Sequence, residues 1–191
     1  MEWLVSEPDV ITNAVIIATS ALTSPWLTAH NESMRMALES DQTFRECKSL
    51  KGGELGLQTA RSIGMTFYRS REGFGLTQYE TDPDFVFASR AASYQRYQGK
   101  KLSDRFDAYS YYYIVNSTDS QNIGRGRGGI EKALSTIKAN CTFIAIDSDG
   151  IFSVKEIQRM ADGVPGSDMH IISSDFGNDG FLLEYQKLTK I

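Results

Sequence analysis

The chain has 191 residues, of which 41% are hydrophobic and 23% charged, and its formal net charge is −4. That size and balance are those of an ordinary soluble globular domain with a core of its own, and nothing in them suggests disorder. The net negative charge and scattered basic residues also exclude an electrostatic footprint for nucleic acid or a membrane surface. The densest basic spot is Arg125 and Arg127, set among glycines.

The opening, MEWLVSEPDV, has no basic leader segment. The longest apolar run, AVIIATSAL at 14–22, falls far short of the roughly 20 residues that a membrane-spanning helix needs. A cytoplasmic protein without membrane association is therefore expected. Within that run AVIIAT (14–19) is continuously apolar and rich in β-branched residues, as befits a parallel strand buried on both faces. Residues 1–24 thus read as a core helix and strand.

Residues 25–138 differ in kind. They carry helical stretches (AHNESMRMALES, LGLQTARSIGMTFYRS, EKALSTIKA) and almost no strand pattern, and read as a large helical insertion in an α/β domain. Tyr94, Tyr97, Tyr109, Tyr111, Tyr112 and Tyr113 cluster inside it. Packing between helices is the expected role for this cluster, a pocket wall the alternative. NIGRGRGG (122–129) invites comparison with a phosphate loop, but no strand precedes it and no Lys-Ser/Thr follows. It reads as a Gly-rich connection re-entering the core, with its two arginines available to the phosphates of a cofactor.

Residues 139–191 return to the α/β pattern. TFIAID (142–147) is a second buried strand and MHIISSD (169–175) a weaker third. SVKEIQRMADGVPG lies between them, with Ile157 and Met160 at helical spacing and a Gly-Val-Pro-Gly stop. Strand, helix, strand and a final helix near Phe181 make a right-handed βαβ unit, the mark of an α/β sheet.

In open α/β sheets, reacting groups gather beyond the carboxyl ends of the strands. Two loops qualify: DSDG, with Asp147 and Asp149, and DFGNDG, with Asp175, Asn178 and Asp179. Each alone fits a turn or a helix cap; together, at the ends of adjacent strands, they fit a site. An α/β-hydrolase would place its acid and then its His base in these two loops, after a Ser on a G-x-S-x-G elbow. Asp149 suits the acid, but the second loop has no His and the sequence no such elbow. The histidines are His30, in the helical insertion, and His170, in a strand; a satisfied or solvated role is expected for both. Cys47 and Cys141 are far apart and fit no metal spacing, so two reduced cysteines and no metal are expected. The sequons at Asn31, Asn116 and Asn140 are then chance matches.

Seven ordered stretches carry a resemblance: EWLVSEPDVITNAVIIAT, NESMRMALESD, GLQTARSIGMTFYRS, SYQRYQGKKLSDRFDAYSYYYI, DSQNIGRGRGG, IDSDGIF and GNDGFLLE. Through them nearly the whole chain resembles the C-terminal part of the homoserine O-acetyltransferases of methionine biosynthesis. The resemblance implies the C-terminal part of an α/β-hydrolase fold, about three parallel core strands with helices, carrying a helical lid that also makes a homodimer contact. It implies no permanently bound cofactor. The implied reaction is ping-pong transfer of acetyl from acetyl-CoA, through an acyl-Ser, to the hydroxyl of L-homoserine, with His as base, Asp orienting it and backbone N–H groups holding the oxyanion.

By position, Asp149 matches the triad acid. Arg61, in TAR, looks like the arginine that grips the homoserine carboxylate, a task suited to a planar bidentate donor. Asp179 is similar to the acid that holds the homoserine amine, and Tyr68 is a further candidate for that pocket. Asn178 stands where the family has its catalytic His, and Gln121 where close relatives often carry His. A carboxamide cannot hold a proton near neutral pH and so cannot act as general base. The family's Gly-Gly-Ser-x-Gly-Gly elbow falls just before the Glu-Trp with which this chain opens, so the resemblance implies a chain without the nucleophile. The expectation is a C-terminal remnant of an acetyltransferase, inactive alone. Two alternatives stand beside it. One is an interaction module pairing through its lid with a full-length relative or a separate N-terminal half. The other is an enzyme whose gene extends upstream and whose base lies elsewhere. Acetyl and succinyl donors both remain open.

Overall fold

A computed structural model describes residues 1–46 and 51–191; Cys47 lies outside the described residues. The chain forms two compact units. One contains 1–24, 68–70 and 121–191, the other 25–67 and 71–120.

The first unit is built on a three-stranded parallel sheet in the order β1 (Asn13–Ile17), β2 (Asn140–Ile146), β3 (Asp168–Ile172). Asn13 pairs with Asn140 and Ile17 with Ile144 on one side of β2; Thr142 pairs with Asp168 and Ile146 with Ile172 on the other. β2 is central, and its alternating side chains feed two cores, as the period of a strand requires. Cys141, Phe143 and Ala145 join Leu134, Ile137, Ile157, Met160 and Ala161 on one face. Ile144 and Ile146 join Ile172 on the other, with Phe181 and Leu188 packed against them. The helix between β2 and β3, Val154–Gly163, is α9 in chain order. It starts on a capping box: Ser153 accepts from the Glu156 N–H while the Glu156 carboxylate accepts from the Ser153 N–H. Ile157, Met160 and Ala161, at i, i+3 and i+4, are its buried stripe.

The sequence led us to expect β1 buried on both faces. Ile16 is buried, but Val15, on the opposite face of the strand, is 64% exposed, and β1 pairs only with β2 among the described residues. A short helix, α1 (Glu2–Ser6), precedes it and buries Leu4 and Val5 in the larger core. Residues 121–138, grouped by sequence with the helical insertion, lie in the sheet unit, where Ile123, Ala133, Leu134 and Ile137 are core residues. Here the glycine-rich turn 124–129 leads into α8 (Ile130–Leu134).

The second unit is helical: α2 (Pro25–Glu39), α3 (Gln42–Glu46), α4 (Glu54–Tyr68, whose last residue falls in the sheet unit), α5 (Arg71–Gln78), α6 (Ser89–Ser103) and α7 (Ala108–Asp119). Pro25 opens α2, where its fixed φ and missing N–H cost nothing. α2 and α7 are joined by a polar network: Asn31 Nδ2 donates to Asp119 at 2.6 Å, and Arg35 pairs with Asp119 at 2.5 Å and with Glu32 at 2.6 Å. Asp41 ties the starts of α3 and α4 together, accepting from the N–H groups of Thr43 and Gly56, each at 2.9 Å. The tyrosines do mainly what packing requires. Tyr109 stacks on Phe44 and bonds its carbonyl, Tyr111 donates to Met34 Sδ, and Tyr112 donates to Glu39. Tyr97 and Tyr113 instead face outward. No helix among the described residues is long and apolar enough to cross a membrane.

Candidate active site

The site grows from the carboxyl end of β2. Three residues there, Asp147, Ser148 and Asp149, fix the two loops against each other. Asp147 accepts from the Ser174 N–H at 3.0 Å, and that bond, the first cause, holds its carboxyl below the usual range. Ser148 Oγ donates to the Ser174 carbonyl and accepts from the Gly177 N–H at 3.0 Å. The chain after β3 is thereby stitched to the chain after β2.

Asp149 turns inward and is only 8% exposed. One oxygen accepts from the Ile151 N–H at 2.7 Å and the Phe152 N–H at 3.1 Å; the other accepts from Asn178 Nδ2 at 2.9 Å. Burial is the dominant influence and raises its carboxyl above the ordinary value, against the pull of those three donors. Asp149 thus bonds the N–H groups that follow it, as a turn former does, and also reaches Asn178 in the next loop.

Asn178 sits in a 3₁₀ turn, Gly177–Asp179, that leads into α10 (Gly180–Leu183). Gly177 has φ +65° and lies so close to the strip 68–70 that a Cβ there would fall 2.5 Å from the Ser70 N and 2.8 Å from the Arg69 carbonyl carbon. Only glycine meets both demands. Ser70 Oγ donates to the Asp175 carbonyl, and Arg69 Nε donates to Asp179 Oδ2 at 3.3 Å.

The structure thus brings together Asp149 and Asn178, and sets Asp179 and Tyr68 on the same loop-and-strip assembly. Arg61 lies in the middle of α4, in the helical unit. Gln121 accepts from the Thr23 N–H through its backbone carbonyl at 3.1 Å. Arg127, considered for a phosphate, is engaged within the protein: its guanidinium pairs with Glu2 and donates to the Ile123 carbonyl at 2.9 Å. His170 is exposed on β3, as expected. His30 departs from the expectation of a satisfied or solvated ring. It stacks on Phe67 with centroids 4.0 Å apart and meets the edge of Trp26 at 4.4 Å, and its buried Nε2 has no hydrogen-bond partner among the described residues. Arg69, Ser70, Ser148 and Ser174 were not singled out in the sequence. Their roles rest on contacts between distant segments that no local pattern marks.

Chemically, the Asp149–Asn178 pair is a buried carboxyl group held by an amide donor. The carboxamide donates an N–H to Asp149, and its carbonyl oxygen has no basicity to offer.

Comparison with known proteins now bears on the site. No protein-family model matches the chain. A homoserine O-acetyltransferase of Cyclobacterium marinum is 43% identical over 194 aligned positions, covering 100% of this chain and 54% of the relative. A second, from Carboxydothermus hydrogenoformans, is 34% identical with the same coverage. The chain is related, along its whole length, to the C-terminal part of the homoserine O-acetyltransferase family. It spans about half the length of the curated relatives it matches. Among solved structures, homoserine O-acetyltransferase from Bacillus anthracis superposes with a TM-score of 0.88 at 16% identity, over 98% of this chain and 54% of that one. An acetylester hydrolase from Corynebacterium glutamicum gives 0.80 at 20% identity, over 95% and 52%. At these identities the likeness is one of fold: the chain carries part of an α/β-hydrolase fold.

Proposed function

We propose that this chain is the C-terminal portion of a homoserine O-acetyltransferase-like protein that keeps the triad acid, Asp149, and has lost the base. The observation that carries the reading is the hydrogen bond from Asn178 Nδ2 to Asp149 Oδ2, 2.9 Å long. In the family's reaction a His at this place would take a proton from the Ser and give it to the leaving thiol, then take one from the homoserine hydroxyl and return it to the Ser oxygen as the acyl-Ser bond breaks. Asn178 holds the His position toward Asp149 without the proton chemistry. The family co-substrate, acetyl-CoA, and the acceptor, L-homoserine, are accordingly ligands of the ancestral site, with Asp179 and Tyr68 assigned to the amine side and Arg61 to the carboxylate by the family match. A cytoplasmic setting fits such substrates. The test is mass spectrometry of the purified chain after incubation with acetyl-CoA and L-homoserine. We expect no O-acetylhomoserine and no acetylated protein; accumulation of either refutes the reading.

A specific observation favours a second role, an interaction module acting through the helical unit. Leu76, Tyr79, Val86, Phe87 and Tyr113 of that unit are between 67% and 83% exposed, and large apolar side chains left in water are what a partner would cover. The partner would be a second copy of this chain or a full-length relative. Co-expression with a full-length relative followed by size exclusion should give a joint peak; separate elution counts against this role.

A further inference from the structure

The strip 68–70 touches the Asn178 loop at three successive points. Gly177 packs directly on its backbone, Ser70 Oγ donates to the Asp175 carbonyl, and Arg69 Nε donates to Asp179 Oδ2 at 3.3 Å. The Arg69 and Asp179 side chains are 16% and 26% exposed, so water does little to screen the pair. The first two contacts use the backbone of one partner or both and set the height of the loop. The third joins two side chains, at the residue that follows Asn178.

We propose that Arg69 is a positioning residue: its guanidinium clamps Asp179, and through the turn Gly177–Asp179 it holds Asn178 in reach of Asp149. By occupying Oδ2 the guanidinium sets the plane of the Asp179 carboxylate and aims Oδ1, which suits that oxygen to an ammonium group arriving from the substrate side. The assignment of that ammonium to homoserine rests on the acyltransferase reading; the clamp itself does not.

The experiment is amide hydrogen exchange and ¹⁵N NMR on the full chain. Arg69→Met keeps the aliphatic stem and removes the charge; Arg69→Lys keeps both. Loss of a partly buried ion pair should speed exchange of the 177–180 amides roughly fivefold in Arg69→Met and broaden the Asn178 side-chain amide signals, with Arg69→Lys close to the parent. Asp179→Asn removes the same pair from the other side. It should match Arg69→Met, and the double variant should be no worse than either single one. Parent-like exchange in Arg69→Met, or additive effects in the double variant, overturns the clamp. L-homoserine titrated into the parent should shift the 178–180 backbone signals. Loosening in Arg69→Met with no homoserine shifts keeps the clamp and rejects the substrate assignment, whereas shifts without loosening do the reverse.

Discussion

Replacing Asn178 with Ala removes one of the three donors to a carboxylate that is 8% exposed. A hydrogen bond to a charged group contributes about 1.5–3 kcal/mol, and the acceptor left behind is buried, so Asn178→Ala should destabilise the sheet unit by about that amount at neutral pH. The size should depend on pH in a definite direction. Burial already raises the Asp149 carboxyl above its ordinary value of 3.8, and loss of the Asn178 donor raises it further. A carboxyl whose folded pKa lies above its unfolded one adds stability while protonated, and that contribution is lost as pH rises through the folded pKa. The deficit of Asn178→Ala is therefore fullest at neutral pH and shrinks as the pH falls below the raised pKa, where no charge is left stranded. Urea unfolding of parent and variant from neutral pH down to about pH 4 reads it directly. A deficit below about 0.5 kcal/mol at neutral pH, or one that grows toward acid, refutes the reasoning.

Other expectations follow from the same contacts. Asp41→Ala should cost about 1–2 kcal/mol by thermal or urea unfolding, because its carboxylate caps α3 and also holds the start of α4. Burial raises the Asp41 carboxyl, but the Thr43 and Gly56 donors outweigh it and leave it below 3.8. Its stabilisation is thus present above 3.8 and lost as pH falls through the lowered value. Burial likewise lowers the His30 imidazole below 6.5. Stability should fall as pH drops under 6.5, where the unfolded chain takes the proton first, and His30→Phe should flatten that part of the profile. Among the described residues no strand lies beside β1 on the side away from β2, and such an edge is a template for strand pairing; Val15 of this strand is 64% exposed. Sedimentation should show self-association of the parent that Val15→Lys reduces; two equally monomeric proteins would contradict this.

The parts of the fold legible in the sequence were those with a local cause. β2 announced itself as a continuous apolar run because both of its faces are buried. α9 was legible from the spacing of Ile157 and Met160 and from its stop, and Ser153 with Glu156 adds a start signal visible in the sequence. β1 showed the limit of that logic: its run is as apolar as that of β2, yet Val15 faces outward, since composition does not say which side of a strand has a neighbour. Residues 121–138 read as part of the insertion because their helix is short, whereas their attachment is through Ile123, Leu134 and Ile137 to a core assembled from distant segments. The site was half legible. Asp149 and Asn178 could be placed at strand ends from pattern alone, but their pairing across 29 residues needed the family resemblance or the structure. Arg69 and Asp179 lie 110 residues apart, and Arg127 and Glu2 are separated by 125. Neither pair leaves a trace in local sequence, so the partners of Arg69 and Arg127 are legible only in the structure.

The central claim is that a carboxamide has replaced the base beside an intact acid, and thiol release from acetyl-CoA tests it most directly. Purified chain, acetyl-CoA and L-homoserine are followed with a thiol reagent from about pH 6 to pH 9, the range in which a His base would operate, with a full-length relative as positive control. The account predicts thiol release at the rate of the protein-free blank at every pH. Turnover above the blank with a pH dependence near that of imidazole would show that a base is at work, and would contradict it.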